Sequence, residues 1–279
     1  MKVYDCFTFF NELDVLELRL QEMWDITDVF VIAESNLSHS GKEKPYHLLD
    51  NWERFKPYES KIRRVQVDDM PDTPDSWVRE RYQRWSLSKG LTDVSQEDII
   101  ITSDLDEIPR AEAIAMIKED ENNWDRYILT IPMFQYKINY MKIHDLIKQP
   151  NIMVARARCY TNPQQEREYT FPWNRKPKDT VFIEHAGWHF TYFGDNDNAI
   201  TKIKNFAHTE TDTPEMIQRH NIEWFVANKC GHHGPTHPEK FEYVIVDDYF
   251  PKAITDNLEK WQHMIVPNAA FHVTDLYRD

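Results

Sequence analysis

Glycine is scarce in this chain, with six in 279 residues, at positions 41, 90, 187, 194, 231 and 234. Neither GxGxxG nor GxxxxGK can be assembled from those positions, which excludes a glycine-rich phosphate cradle. A nucleotide held here must have its phosphates managed by basic side chains or a metal. Cysteine is scarcer still. Cys6, Cys159 and Cys230 form an odd and sparse set that argues against a disulfide framework and predicts reduced thiols in a cytoplasmic protein. Basic residues are outnumbered, 33 Lys and Arg against 47 Asp and Glu, and a net charge of −14 opposes nucleic acid as a partner. No run reaches the ~20 apolar residues of a membrane span. Asp5 interrupts the apolar stretch a signal peptide would need.

What the chain does have is the means to build a core. Hydrophobic residues make up 41% and aromatics 13%, and no linker divides the chain, which predicts one domain over 1–279. Val3 to Phe10 reads as a strand, Asn11 as a helix cap, and Leu13, Leu16, Leu20 and Met23 as the apolar face of that helix. The continuous apolar run from Asp28 to Ser35 completes a β-α-β unit. Further strands are predicted over Lys61 to Val67, Asp98 to Ser103, Arg126 to Pro132 and Val181 to Ala186. Helices are predicted over Ser76 to Lys89, Ala111 to Lys118, Ala199 to Phe206 and Glu215 to Asn228. Between 133 and 180 the pattern is irregular, with prolines at 150, 163, 172 and 177, and reads as substrate-specific loops. The alternation predicts an α/β fold with a mixed, mostly parallel central sheet flanked by helices.

The segment Ser103-Asp104-Leu105-Asp106-Glu107-Ile108-Pro109 follows the most apolar of these strands. Ligands of open α/β sheets bind at that edge. Carboxylates at i and i+2 on such a turn can both approach a divalent cation, so Asp104 and Asp106 are candidate ligands for Mn2+ or Mg2+. The competing reading is a solvated turn capping the next helix, and Glu107 is either a support behind the ligands or that cap. Arg79 and Arg84 can each make a bidentate contact to phosphate or a surface ion pair, and Lys202 can neutralise a phosphate. Cys230-Gly231-His232-His233-Gly234 with His237 matches no structural zinc spacing and reads as a polar loop.

Several blocks together carry a resemblance. They are Tyr4 to Asp14, Glu34 with Ser38-His39-Ser40-Gly41-Lys42, Trp77-Val78-Arg79-Glu80 with Gln83-Arg84, Ser103 to Pro109, and Gly187-Trp188-His189-Phe190. In this order, and covering most of the chain, they resemble glycosyltransferase family 17. The resemblance implies a GT-A fold, a UDP-GlcNAc donor, a glycan acceptor, inversion at the anomeric carbon and Mn2+ dependence. It implies a nucleotide-sugar-binding half over 1–110 and an acceptor and catalytic half over 111–279. Phe7, Thr8, Asn11 and Glu34 are then the candidate nucleoside readers, with core packing as the alternative for Phe7. Trp188 is a candidate for stacking on a sugar. His208, with His189 as its rival, is the candidate for a further metal ligand. An inverting transferase needs a carboxylate base, and Asp197 is the candidate, followed by Glu184. A helix cap is the alternative reading of Asp197. Two other readings of the same acidic turn stay open: a metal-dependent nucleotidyltransferase or phosphohydrolase, and a sugar-binding module without turnover.

Overall fold

The structure, a computed structural model, describes residues 1–143, 150–169 and 180–277. Its strands are β1 (Val3–Phe9), β2 (Val29–Ser35), β3 (Ile62–Val67), β4 (Ile99–Thr102), β5 (Glu107–Pro109), β6 (Arg126–Thr130), β7 (Met133–Gln135), β8 (Tyr140–Ile143), β9 (Pro150–Arg156), β10 (Thr180–Ile183), β11 (Gly187–Thr191) and β12 (Lys240–Tyr243). Seven of them form one sheet in the order β10-β6-β9-β4-β1-β2-β3. Every neighbouring pair is parallel except the two that β9 makes with β4 and β6. This is the mixed, mostly parallel sheet predicted from the alternation.

Successive strand residues point to opposite faces, and both faces are covered. On β1, Val3, Phe7 and Phe9 join the larger core cluster, while Tyr4 and Cys6 join a second cluster with Val31, Ala33 and Ile100. The Leu13–Met23 helix packs Val15, Leu16, Leu18, Leu20 and Met23 inward. Among the described residues no helix is long and apolar enough to cross a membrane. All three cysteines are free thiols.

Three local features differ from the sequence reading. Asn11 does not cap the first helix: Glu12 occupies the cap position, its Oε2 accepting from the Asn11 amide at 3.1 Å and not from the helix, and the Asn11 carbonyl accepts from the Leu13 amide at 2.9 Å. The predicted helix from Glu215 to Asn228 is two, Pro214–Arg219 and Ile222–Ala227, because Asn221 takes an extended backbone and accepts from the Trp224 amide at 2.9 Å. The irregular region contains β7, β8, β9 and a short helix, Pro163–Arg167, while 144–149 and 170–179 lie outside the described residues. A second sheet, β12-β8-β7-β11-β5, was not foreseen. Its strands are three to five residues long, too short for periodicity to show.

One buried cation ties the first helix to the edge of the central sheet. Arg19 is 0% exposed and bridges Asp5, with Nη2 to Oδ1 at 2.5 Å and Nε to Oδ2 at 2.9 Å. Its Nη1 donates to the carbonyls of Asp104, Leu105 and Glu107 at 2.7, 3.1 and 3.0 Å, and its Nη2 to Ser103 Oγ at 2.8 Å. Removing one partner of such a pair strands the other charge in the core. Arg19→Met is therefore expected to destabilise the fold by about 3–5 kcal/mol, read as a fall in the urea midpoint.

Candidate active site

The acidic turn leaves β4 at the C-terminal edge of the parallel sheet and enters β5, which pairs antiparallel with β11. In that register His189 lies opposite Glu107. The two strands approach closely at Gly187, where a Cβ would sit 2.2 Å from the Ile108 carbonyl oxygen, so only glycine allows the pairing. The pairing brings an imidazole and two carboxylates onto one surface.

Each carboxylate there faces cations. Lys202 Nζ donates to Asp106 Oδ2 at 2.6 Å, and His189 Nε2 lies 3.6 Å from Asp106 Oδ1. Arg84 Nη2 reaches Asp104 Oδ1 at 3.2 Å, and Arg167 Nη2 reaches Asp104 Oδ2 at 3.0 Å and Glu107 Oε1 at 2.7 Å. Burial alone would raise the Asp104 carboxyl, but Arg167 and Arg84 hold it well below the usual carboxylate range. Burial is likewise overcome at Asp106 by Lys202 and His189. Burial by itself would lower Lys202 and His189, and Asp106 raises both. Glu107 is raised by burial, which Arg167 only partly offsets. Its Oε2 accepts from the Asp104 amide at 2.9 Å, so it supports the turn from behind, and the next helix begins after Arg110 instead.

Two cavities meet at this cluster. One, of about 580 Å³, is bordered by Thr8, Phe10, His39, Arg84, Asp104 and Arg167. The other, of about 590 Å³, is bordered by Asn11, Lys137, Phe193, Asp197 and Trp261. Both fall in the ~300–1,000 Å³ range of small-ligand sites. Glu12, Asp106, Tyr192 and Lys202 line both, forming a shared wall.

The sequence model of glycosyltransferase family 17 matches residues 1–246. The chain belongs to that family. It is 29% identical over 126 residues to the rat beta-1,4-mannosyl-glycoprotein 4-beta-N-acetylglucosaminyltransferase, covering 42% of this chain and 23% of that one. The human protein of the same name is 30% identical over 117 residues, covering 39% and 22%. The matched part thus spans less than a quarter of the relatives' own length. Among solved structures, a mannosyltransferase of Pyrobaculum calidifontis with GDP-mannose and Mn2+ covers 73% of this chain and 61% of its own at 11% identity and a TM-score of 0.41. Residues 1–349 of S. aureus TarS cover 77% and 66% at 12% identity and a TM-score of 0.39.

In this family 17 glycosyltransferase, Thr8, Arg84, Asp104, Asp106, Lys202 and His208 line the 580 Å³ cavity, and Asn11 and Asp197 line the other. His208 sits on the rim with Nδ1 on Glu210 Oε1 at 2.6 Å and its ring against Trp77 and Phe206, so it is His189 that reaches Asp106. Asp197 is exposed in the first turn of the Asn196–Asn205 helix, whose cap is Asp195, accepting from the Asn198 amide at 2.9 Å.

Five predicted site residues line neither cavity. Phe7 is 0% exposed, with the Arg19 guanidinium 4.2 Å from its ring centroid, and is core. Trp188 is 1% exposed, donates from Nε1 to the Tyr249 carbonyl at 3.0 Å and is stacked by Arg110; strand alternation turns it inward and its neighbour His189 outward. Arg79 donates from Nε to the His39 carbonyl at 2.7 Å and from Nη1 to the Thr73 carbonyl, holding the loop instead of a phosphate. Both Glu34 oxygens accept from the Leu48 amide at 3.2 Å, and Lys44 lies 3.3 Å away. Burial raises that carboxyl against these partners. Glu184 is exposed beyond β10 and lines neither cavity.

Glu12 and Arg167 were missed. Glu12 sits inside the first resemblance block, one residue after Asn11, and passed as part of the helix start. Arg167 comes from the irregular region, where Asn162 before Pro163 is the local signal: its side chain caps the short helix by accepting from the Gln165 amide at 2.9 Å.

Among the described residues no group of three or more His, Cys, Asp or Glu converges as a cation cage. Mg2+ and Mn2+ sites in nucleotide enzymes do not need one, since one or two carboxylates plus substrate phosphates suffice. Asp106 is the carboxylate that fits that smaller requirement, and His189 Nε2, 3.6 Å from its Oδ1, would join it as a ligand only on giving up its proton.

Proposed function

We propose that this glycosyltransferase moves N-acetylglucosamine from UDP-GlcNAc to a glycan hydroxyl, with inversion and with Mn2+ or Mg2+. The observation that carries the reading is the shared wall, where Asp106 and Lys202 face a cavity on each side. The names of the curated relatives support the sugar and the acceptor class.

The donor lies in the 580 Å³ cavity, its diphosphate toward Arg84, Arg167 and Lys202, which supply the positive charge that a glycine-rich loop would otherwise replace with backbone amides. A cation held by Asp106 and His189 would offset charge growing on the departing nucleoside diphosphate. Inversion needs a base on the face of the sugar opposite that leaving group. Glu12 stands on the shared wall and lines both cavities, whereas Asp197 opens only into the 590 Å³ cavity. Glu12 is therefore the base in this reading, and Asp197 binds the acceptor.

A screen of UDP, GDP and CMP sugars with Mn2+ tests it. UDP release from UDP-GlcNAc, with glycoside or free sugar formed, is the expected result. Release of pyrophosphate or inorganic phosphate without either product overturns it. Arg167→Ala is expected to weaken UDP binding about tenfold or more in calorimetric titration, because a charge-assisted hydrogen bond is lost.

A further inference from the structure

We infer that loop 38–42 is a latch on the C-terminal end of the helix that carries Lys202, with Ser40 and Lys42 acting as positioning residues for that lysine. The value of the latch to nucleotide binding rests on the donor assignment above.

The Asn196–Asn205 helix presents Lys202 to Asp106 at 2.6 Å and to Glu12 at 3.7 Å. The start of the helix is held by the Asp195 cap and by Asn196 Oδ1, which accepts from the Ile222 amide at 2.8 Å. Its end is held from far away in the sequence. The last carbonyls of a helix find no partner inside it. Here the Lys204 carbonyl accepts from Ser40 Oγ at 3.0 Å and from Lys42 Nζ at 2.6 Å, and the Asn205 carbonyl accepts from the Ser40 amide at 3.3 Å. The Lys42 charge also meets the negative pole of the helix, and its Nζ lies 3.5 Å from Asp212, just beyond the helix end.

The loop is built to keep that shape. Gly41 turns it at φ +86°, which suits glycine, and a Cβ there would meet Arg79 Nη2 at 3.0 Å. Ser38 closes the turn, its Oγ accepting from the Lys42 amide at 3.0 Å and its amide donating to the Lys42 carbonyl at 2.8 Å. His39 is gripped by the Ser76–Ser86 helix: its carbonyl accepts from Arg79 Nε at 2.7 Å, and its Nε2 donates to Gln83 Oε1 at 2.8 Å. Gln83 Nε2 in turn donates to the Ala33 carbonyl of β2 at 2.9 Å. A chain of hydrogen bonds thus runs from the central sheet, through the loop, to a carbonyl two residues from Lys202. Two residues span about 3 Å of helix axis. A shift of the helix end by about an ångström therefore carries Lys202 Nζ out of hydrogen-bond range of Asp106. Ser38, His39, Asn205 and Phe206 all border the 580 Å³ cavity, so the latch is also part of its wall.

The test compares Lys42→Met, Lys42→Arg, Ser40→Ala and Lys202→Met with the parent chain. Reductive methylation followed by mass spectrometry reads how firmly Lys202 is held, with no nucleotide present. Its rate at Lys202 is expected to rise about tenfold in Lys42→Met and several-fold in Ser40→Ala, the scale of one lost hydrogen bond to a charged or a neutral donor. Lys42→Arg should stay within threefold of the parent, and amide exchange in β1 and β2 within twofold in every variant. In calorimetry, Lys42→Met should weaken UDP binding several-fold, but by less than twofold when Lys202 is already methionine, because a positioning residue acts through the group it positions. Unchanged methylation of Lys202, equal losses of UDP affinity in both backgrounds, or faster exchange throughout β1 and β2 overturns the latch. Faster methylation of Lys202 in a chain whose parent binds no UDP keeps the latch and fails the donor assignment instead.

Discussion

Asp106→Asn is expected to lower the initial rate of sugar transfer by about 10²- to 10³-fold. The substitution preserves volume and one oxygen while removing the charge that Lys202 and His189 surround at 2.6 and 3.6 Å. Two effects add. A cation bound there would lose its carboxylate ligand, and Lys202 is freed from the position in which it faces both cavities. Calorimetry with UDP, with and without Mn2+, separates this from unfolding: the variant should still bind UDP but lose the part of the heat that depends on metal. A rate within threefold of the parent would sink the assignment of Asp106.

Glu12→Gln carries the second large effect, a loss of about 10²- to 10⁴-fold in kcat, the usual contribution of a positioned general base. Acceptor KM should change little, since the amide keeps the shape of the wall, and donor KM by only a few-fold, the 3.7 Å pairing of Lys202 with Glu12 being the ground-state contact that is lost. Asp197→Asn should do the reverse, raising the acceptor KM with kcat within a few-fold. Steady-state kinetics with both substrates varied decides between them. The opposite pattern would make Asp197 the base.

How far these residues could be read from the sequence follows from their spacing. The acidic turn was legible because Ile99 to Thr102 form a buried strand whose C-terminal end has a known meaning in α/β sheets. Much of the central sheet was legible for the same reason, since β2 and β4 are nearly continuous apolar runs, whereas β9, inside the irregular region, was not. The second sheet was not, although its pairing of β11 with β5 puts His189 beside Asp106. Trp188 and His189 show the limit at single residues: in a strand of unknown register, nothing in the sequence says which of two neighbours faces the cavity. Arg79 and Arg84 show it for a helix, where five residues of separation send one to a loop carbonyl and the other to Asp104. Asp5 and Arg19 were invisible as a pair because a buried ion pair between a strand and a helix carries no periodic signature.

Arg19 has a consequence for binding as well as stability. Its donors are all consumed inside the protein, by Asp5, by Ser103 and by the carbonyls of Asp104, Leu105 and Glu107 in the acidic turn. The turn's backbone acceptors are thereby drawn inward, and Asp104 and Asp106 are left as the groups it presents to the cavity. The floor of the 580 Å³ cavity is preorganised: its conformational entropy is surrendered during folding, before any ligand arrives. Ligand capture then needs little backbone ordering at this edge, and the hydrogen-bonded amides of Ser103, Asp104 and Glu107 should exchange with solvent at much the same slow rate with or without UDP.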